Sequence, residues 1–380
     1  LVRGQLNETF INGGPLQHSK LIFMSSWFQK SNKLIRIALF ARNKFMNIVA
    51  KFAIFTCCAA LSSCGTVNVQ ESQKEALSQI NSADGRSQPI NVYFTSLDPF
   101  DVATAAVGEN NEIIVRGSLR LPSGKGPFPA VVISNSSAGI YDRVGESLAT
   151  DLIKAGYATF AIQSLEARGQ QRSDSNQQHT TFQSQGVDTL YALKYLRTLP
   201  VIKPNKICVT GHSRGAIAAF DFAYFQSFLD MTGYTDEPFA CNIAINAGWH
   251  MVPNDTSSTG KPALVFIGEK DDVWYQDKNI EWIESLQIDN KDLTLVVLRD
   301  THHALTTQPN FCPTAQNAKK CQNHTTYDKN GIYHNGQLVT RRQNYQLCTT
   351  YGYHCSASNM DQYSTVQQQV VEFLNSNIGK

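Results

Sequence analysis

Gly211-His-Ser-Arg-Gly215 sets a serine between two glycines, directly after the apolar run Lys206-Ile-Cys-Val-Thr210 and directly before the Ala-rich run Ala216 to Phe225. A serine hydroxyl is a weak nucleophile until a base takes its proton, and the base needs a carboxylate to hold its tautomer. G-x-S-x-G at a strand-to-helix junction lifts a serine into strained, exposed backbone geometry. A side chain on either flank would collide with the neighbouring strand or helix, so both glycines are steric requirements. The five letters alone are weak: at glycine and serine frequencies of about 7% each, roughly one chain in ten of this length carries them by chance. The partners the chemistry needs give them weight.

Those partners follow in the order Ser, Asp, His. Ala263-Leu-Val-Phe-Ile-Gly268 is a continuous apolar run of the kind a buried parallel strand shows, and Glu269-Lys-Asp-Asp272 follows it. Leu293-Thr-Leu-Val-Val-Leu298 leads through Arg299-Asp-Thr301 to His302-His303-Ala304-Leu305. Carboxylates and histidines just past strand ends belong on the functional rim of an open α/β sheet. Each site alone is equally a helix cap or a solvated loop; three in this order point to one nucleophilic site. Either Asp271 or Asp272 can be the orienter and either His302 or His303 the base. His212, inside the five-letter motif, reads as a packing residue. Trp249 and His250, past the run Cys241 to Asn246, are pocket candidates.

With these residues in place, roughly Pro127 to Leu305 resembles the dienelactone hydrolase-like branch of the α/β-hydrolases. Pro129-Ala-Val-Val-Ile-Ser-Asn-Ser-Ser-Ala-Gly-Ile140 resembles that family's third strand and oxyanion loop. Asp142-Arg-Val with Leu152 to Phe160 resembles its next helix and strand, Ser164-Leu-Glu-Ala-Arg-Gly169 a loop ending in Arg-Gly, and Gly268-Glu-Lys-Asp-Asp272 its acid loop. Asn135-Ser136 stands where the family commonly has His-Gly, and Ser213 where dienelactone hydrolases proper use cysteine, so lactone specificity does not carry over. The resemblance favours Asp271 over Asp272 and His303 over His302. It implies a Ser213, His303, Asp271 triad, an oxyanion hole built from the backbone N–H groups of Arg214 and Ser137, and an acyl-enzyme that needs no metal or organic cofactor. Asn135 joins the pocket candidates. Arg168 is a further one, able to attract an anionic substrate, with a surface ion pair as the alternative. The expected activity is cleavage of a small-molecule carboxylic ester. A peptidase and a non-catalytic binding protein on the same fold are the alternatives.

The elements that must position these residues are strand-like runs at 91–95, 113–121, 130–134, 158–162, 206–210, 241–246, 263–268 and 293–298, alternating after the third with helical patterns. Val187 to Leu196 shows apolar spacings of three and four. The expected class is α/β, an α/β-hydrolase fold. It has a mostly parallel twisted sheet, helices on both faces, and a Cys-rich insertion before the last helix. The hydrolase domain is expected over 90–380 with the insertion at 306–362, where Asn, Gln, Thr, Tyr and His replace the apolar rhythm. Leaving the sheet just after the candidate histidine, the insertion is expected to cover the pocket as a lid. Tyr327, Tyr333, Tyr351 and Tyr353 are its candidate substrate contacts, and a surface excursion is the alternative.

Lys51 precedes the apolar run Phe52 to Leu61, and Leu61-Ser-Ser-Cys64 closes it in the form of a bacterial lipobox. The run is shorter than the ~20 residues a permanent span needs. Residues 46–63 therefore read as a lipoprotein signal and Cys64 as the lipid attachment. That places the protein in the bacterial cell envelope, on the outer membrane facing the periplasm. Residues 1–45 read as upstream or mis-started sequence, and 64–89, rich in Ser, Gln, Asn and Glu, as a flexible tether. Eight of the 33 basic residues and one of the 31 acidic ones lie within 1–63, which leaves 25 against 30 and a balance of −5 beyond them. No basic run interleaved with aromatics supports nucleic-acid binding. Cys208 and Cys241 sit in apolar runs and read as buried thiols. Cys312, Cys321, Cys348 and Cys355 read as two disulfides, pairing Cys312 with Cys321 and Cys348 with Cys355 in the shortest loops. Other pairings stay open, as does a zinc site with His324, His334 and His354.

Overall fold

The computed structural model describes residues 67–82, 88–99, 111–303, 305, 314–320, 325–353 and 360–379, except 175 and 178. Helix α1, Val69–Asn81, precedes β1, Ile90–Asp98, β2, Asn111–Arg120, and β3, Phe128–Ser134. The alternation then runs α2, Arg143–Ala155; β4, Ala158–Ile162; α3, Ser164–Ala167; α4, Phe182–Arg197; and β5, Ile202–His212. It continues through α5, Arg214–Tyr224; α6, Gln226–Thr232; β6, Asn242–Ile245; β7, Met251–Pro253; β8, Ala263–Gly268; α7, Gln276–Asp289; and β9, Leu293–Leu298.

Eight strands form one sheet in the order β1-β2-β4-β3-β5-β6-β8-β9. The β1–β2 and β2–β4 pairs are antiparallel, and every pair from β4 to β9 is parallel. Parallel strands are covered on both faces and hence apolar throughout, which is why β3, β6 and β8 are buried at every position. Successive residues divide between two cores, as the period of two requires. Val131, Cys208 and Leu264 share one core with Val144 and Leu148 of α2. Val132, Val209 and Val265 share the other with Leu190 of α4, Phe220 of α5 and Ile283 of α7. Helix ends are fixed locally. The Asp142 side chain accepts from Gly145 N–H to cap α2, which closes on Gly156 in left-handed geometry, and Thr181 forms a capping box with Ser184 on α4.

The Cys-rich insertion has secondary structure of its own. Its strands are β10, Thr314–Asn317; β11, Thr325–Asp328; β12, Gly331–His334; β13, Gln337–Val339; and β14, Thr350–Tyr353, with α8, Arg341–Cys348, between the last two. β10 pairs with β14, and β13-β12-β11 joins the main domain by parallel pairing of β11 with β7. The chain then returns to the sheet through α9, Met360–Asn377, whose Val366, Val370 and Leu374 enter the α2 core.

Two expectations are corrected. Residues 69–81, read as tether, form α1, with Ala76 and Ile80 buried in the core and the Gln73 side chain donating to the Tyr93 carbonyl. With only two buried residues, the helix leaves almost no apolar period in the sequence. Cys208 and Cys241, read as buried thiols, form a disulfide. Parallel pairing of β5 with β6 brings their Cα atoms to 4.7 Å. Cys348 is also disulfide-bonded. Cys312, Cys321 and Cys355, the Cys64 attachment point and the segments 1–45 and 46–63 lie outside the described residues.

Candidate active site

Ser213 occupies the single residue between β5 and α5, at φ +55° and ψ −123°. A β-carbon on Gly211 would lie 2.2 Å from the Gly215 carbonyl oxygen, and one on Gly215 would lie 2.0 Å from that of Ser134. Both glycines are thus set by backbone contacts, the first to the start of α5 and the second to the end of β3.

The other two groups arrive from the ends of β8 and the segment after β9. Asp271 is buried, its Oδ1 accepting the Val273 N–H at 2.9 Å and its Oδ2 lying 2.7 Å from His303 Nδ1. His303 Nε2 lies 2.8 Å from Ser213 Oγ. A carboxylate accepts, so Nδ1 carries the proton and Nε2 is left to accept from the serine hydroxyl. Asp272 and His302 take no part in this chain of hydrogen bonds.

The histidine loop is held from behind by a residue the sequence reading missed. Asn246, at φ +49° just past β6, donates through Nδ2 to the carbonyls of His302 at 3.2 Å and His303 at 2.8 Å, and accepts the Gly268 N–H at 2.9 Å. One amide therefore joins the loop that carries Asp271 to the loop that carries His303. A carbonyl only accepts, so His212 Nε2, 3.0 Å from the same His303 oxygen, is the donor. Burial pushes the His212 imidazole below the ordinary histidine value. Asparagine directly after a buried strand, where left-handed geometry is common for it, was the available signal for Asn246.

The loop after β3 faces Ser213. Asp142 Oδ2 accepts the Ser136 N–H at 2.7 Å, while the Ser137 N–H has no acceptor among the described residues. The Arg214 N–H, in the first turn of α5, has no intrahelical partner to find. A cavity of about 550 Å³ opens over Ser213 and His303, with Ser137 and Arg214 on its wall. Phe182, Ile217 and Val273 give it an apolar side, and the Cys-rich insertion supplies Gln316, Arg341, Asn344 and Tyr345. His250 lines it, stacked on Trp274 at 5.8 Å and 7°. Gly248 makes room for that indole, since a β-carbon there would sit 1.8 Å from it.

Three pocket candidates lie elsewhere. Arg168 is buried between Asp98 at 2.7 Å and Asp188 at 2.8 Å, so its charge is spent on carboxylates behind the site. Asn135 turns its amide to the Ile162 carbonyl and Gln163. Trp249 is a core side chain whose Nε1 donates to Asp221 at 2.9 Å. Of the insertion tyrosines, Tyr327 is buried 3.3 Å from Asp221, and Tyr333 is not on the cavity wall. The side chains of Tyr351 and Tyr353 lie outside the described residues.

Sheet order, the turn at Ser213 and the placement of Asp271 and His303 at strand ends define an α/β-hydrolase fold. The chain belongs to the dienelactone hydrolase family, whose model matches residues 115–328. Similar solved structures include a dienelactone hydrolase-like promiscuous phosphotriesterase from metagenomic libraries, at 15% identity over 76% of this chain and 99% of that one, with a TM-score of 0.45. Another is Est1E of Butyrivibrio proteoclasticus, at 13% identity over 70% of this chain and 96% of that one, with a TM-score of 0.41. Esterase 2 of Thermogutta terrifontis is similar at 13% identity over 50% and 80%, with a TM-score of 0.39. No curated protein matches the chain significantly.

Proposed function

We propose that this protein is a serine hydrolase that cleaves a small-molecule carboxylic ester through an acyl-enzyme. The observation that carries the reading is the hydrogen-bonded chain Ser213 Oγ, His303 Nε2, His303 Nδ1, Asp271 Oδ2, at 2.8 and 2.7 Å. His303 takes the serine proton as Oγ attacks the ester carbon, and Asp271 stabilises the imidazolium that forms. The N–H groups of Arg214 and Ser137 receive the oxyanion; the prior engagement of the Ser136 N–H by Asp142 supports the choice of Ser137. His303 then protonates the leaving alcohol. Water, activated by the same histidine, releases the acid.

Turnover of a panel of esters of graded acyl length, alongside matched peptides, tests the reading. Ester turnover abolished in Ser213→Ala supports it. Cleavage of the peptides in preference to the esters moves the protein to the peptidase alternative, and turnover retained in Ser213→Ala refutes the nucleophile.

The lipobox at Leu61 to Cys64 supports attachment to the bacterial cell envelope, on the outer membrane facing the periplasm. Membrane-fraction protein should carry lipid mass on Cys64, and Cys64→Ser should move the protein to the soluble fraction. An unchanged distribution contradicts the anchor.

A further inference from the structure

The mechanism above uses the main chain of Arg214 and leaves its side chain without a task. That side chain is buried, and all of its partners among the described residues are neutral. Nε donates to Gln185 Oε1 at 3.1 Å, one terminal nitrogen to Gln177 Oε1 at 2.6 Å and the Gln177 carbonyl at 3.3 Å, and the other to the Thr180 carbonyl. A buried guanidinium without a counter-ion is costly and calls for a reason. Burial, with the charges of Arg341 and Arg168, pushes this one down to about 9.

The two glutamines show where the interaction leads. A guanidinium has only donors, so each amide must present Oε1 to it and turn Nε2 away. Gln185 Nε2 donates to Ser134 Oγ at 2.9 Å and also to the Asn135 carbonyl. Gln177 Nε2 donates to Ser137 Oγ at 2.8 Å, with Gln177 Oε1 at 3.1 Å from the same hydroxyl. The amides thus grip both ends of the 134–137 loop. An apolar side chain at 214 would leave both free to flip.

Resting on the hydrolase reading, we infer that the Arg214 guanidinium is a positioning group for the oxyanion hole. Through Gln177 and Gln185 it fixes the Ser137 N–H opposite its own main-chain N–H. One residue thereby supplies half of the hole and sets the geometry of the other half.

Substitution at 214 leaves the main-chain N–H in place, so Arg214→Met isolates the side chain. On neutral esters kcat should fall roughly 10- to 100-fold with KM held within about threefold. Arg214→Lys should recover part of the loss. Hydrogen exchange of the amides in 134–142 should quicken in Arg214→Met while that in α4 and α5 stays protected. Gln185→Glu gives a second variant that folds independently of this loss: the carboxylate supplies Arg214 with a counter-ion but removes the donors to Ser134 and Asn135. Stability held with kcat lowered at least about tenfold is expected there.

Unchanged exchange at 134–142 in both variants overturns the inference. So does a rise in KM confined to esters carrying a carboxylate, with kcat on neutral esters retained, since Arg214 would then be a substrate contact. Should the wild type turn over no ester, the hydrolase reading fails, and exchange alone decides whether Arg214 holds the loop.

Discussion

Asn246 donates to the main-chain carbonyl of His303 at 2.8 Å while the same amide accepts the N–H of Gly268, at the root of the loop that carries Asp271. Asp271 and His303 lie 32 residues apart in sequence, past the ends of two different strands, yet one side chain holds both loops. The left-handed backbone at Asn246 aims the amide between the two loops.

Asn246→Gly keeps that backbone accessible and removes the amide. It should lower kcat by roughly 10- to 100-fold, the scale on which displacements near 1 Å act. Asn246→Ala should lose activity similarly and be less stable than the glycine variant by about 1 kcal/mol, from the left-handed strain of a residue with a β-carbon. Paired kinetics and urea unfolding check both values; wild-type kcat in the glycine variant contradicts the coupling.

Asp271→Asn places an amide against His303 Nδ1 and favours the wrong tautomer, so kcat/KM should fall by roughly 10³- to 10⁴-fold. Asp272→Asn should stay within about threefold of wild type. Steady-state kinetics of the two variants on one ester decide between the adjacent carboxylates, and the reverse ranking overturns the assignment.

Asp221 is a buried carboxyl joined to Trp249 and Tyr327, and burial pushes it up to about 8. Its folded value lies above the unfolded one, so the folded protein holds a proton that the unfolded chain releases. The resulting stabilisation is complete below about pH 4 and is lost as pH rises towards 8, at up to about 1.4 kcal/mol per pH unit. Asp221→Asn removes this slope, so its stability relative to wild type should rise between pH 5 and 8. Denaturant unfolding at several pH values measures it, and parallel curves for the two proteins contradict a raised Asp221.

Much of this arrangement is legible in the chain. The runs 263–268 and 293–298 coincide with β8 and β9 because a short, mainly apolar stretch followed by charged residues has few other places to go. Position past a strand end also brought Ser213, Asp271 and His303 to one rim. It does not reveal which way a side chain leaves the rim, which is why Arg168, with an ion pair as its alternative, and Trp249 stand among the pocket candidates in sequence. An arginine facing a pocket and one facing Asp188 look alike in sequence; the difference lies in contacts between residues far apart in the chain. The Cys208–Cys241 bridge was hidden for the same reason, since an apolar neighbourhood suits a thiol and a disulfide equally. Gln177 and Gln185 leave no mark, being ordinary amides whose roles depend on three-dimensional neighbours, and Asn246 leaves only its place directly after a buried strand.

The proposed chemistry requires that His303 activate Ser213. Reacting the folded protein with a fluorophosphonate probe and mapping the adduct by mass spectrometry tests this directly. One adduct is expected, on Ser213, absent from Ser213→Ala and slowed by at least about 10³-fold in His303→Ala. A folded wild type that takes no probe, or a Ser213 adduct that forms as fast without His303, would contradict it.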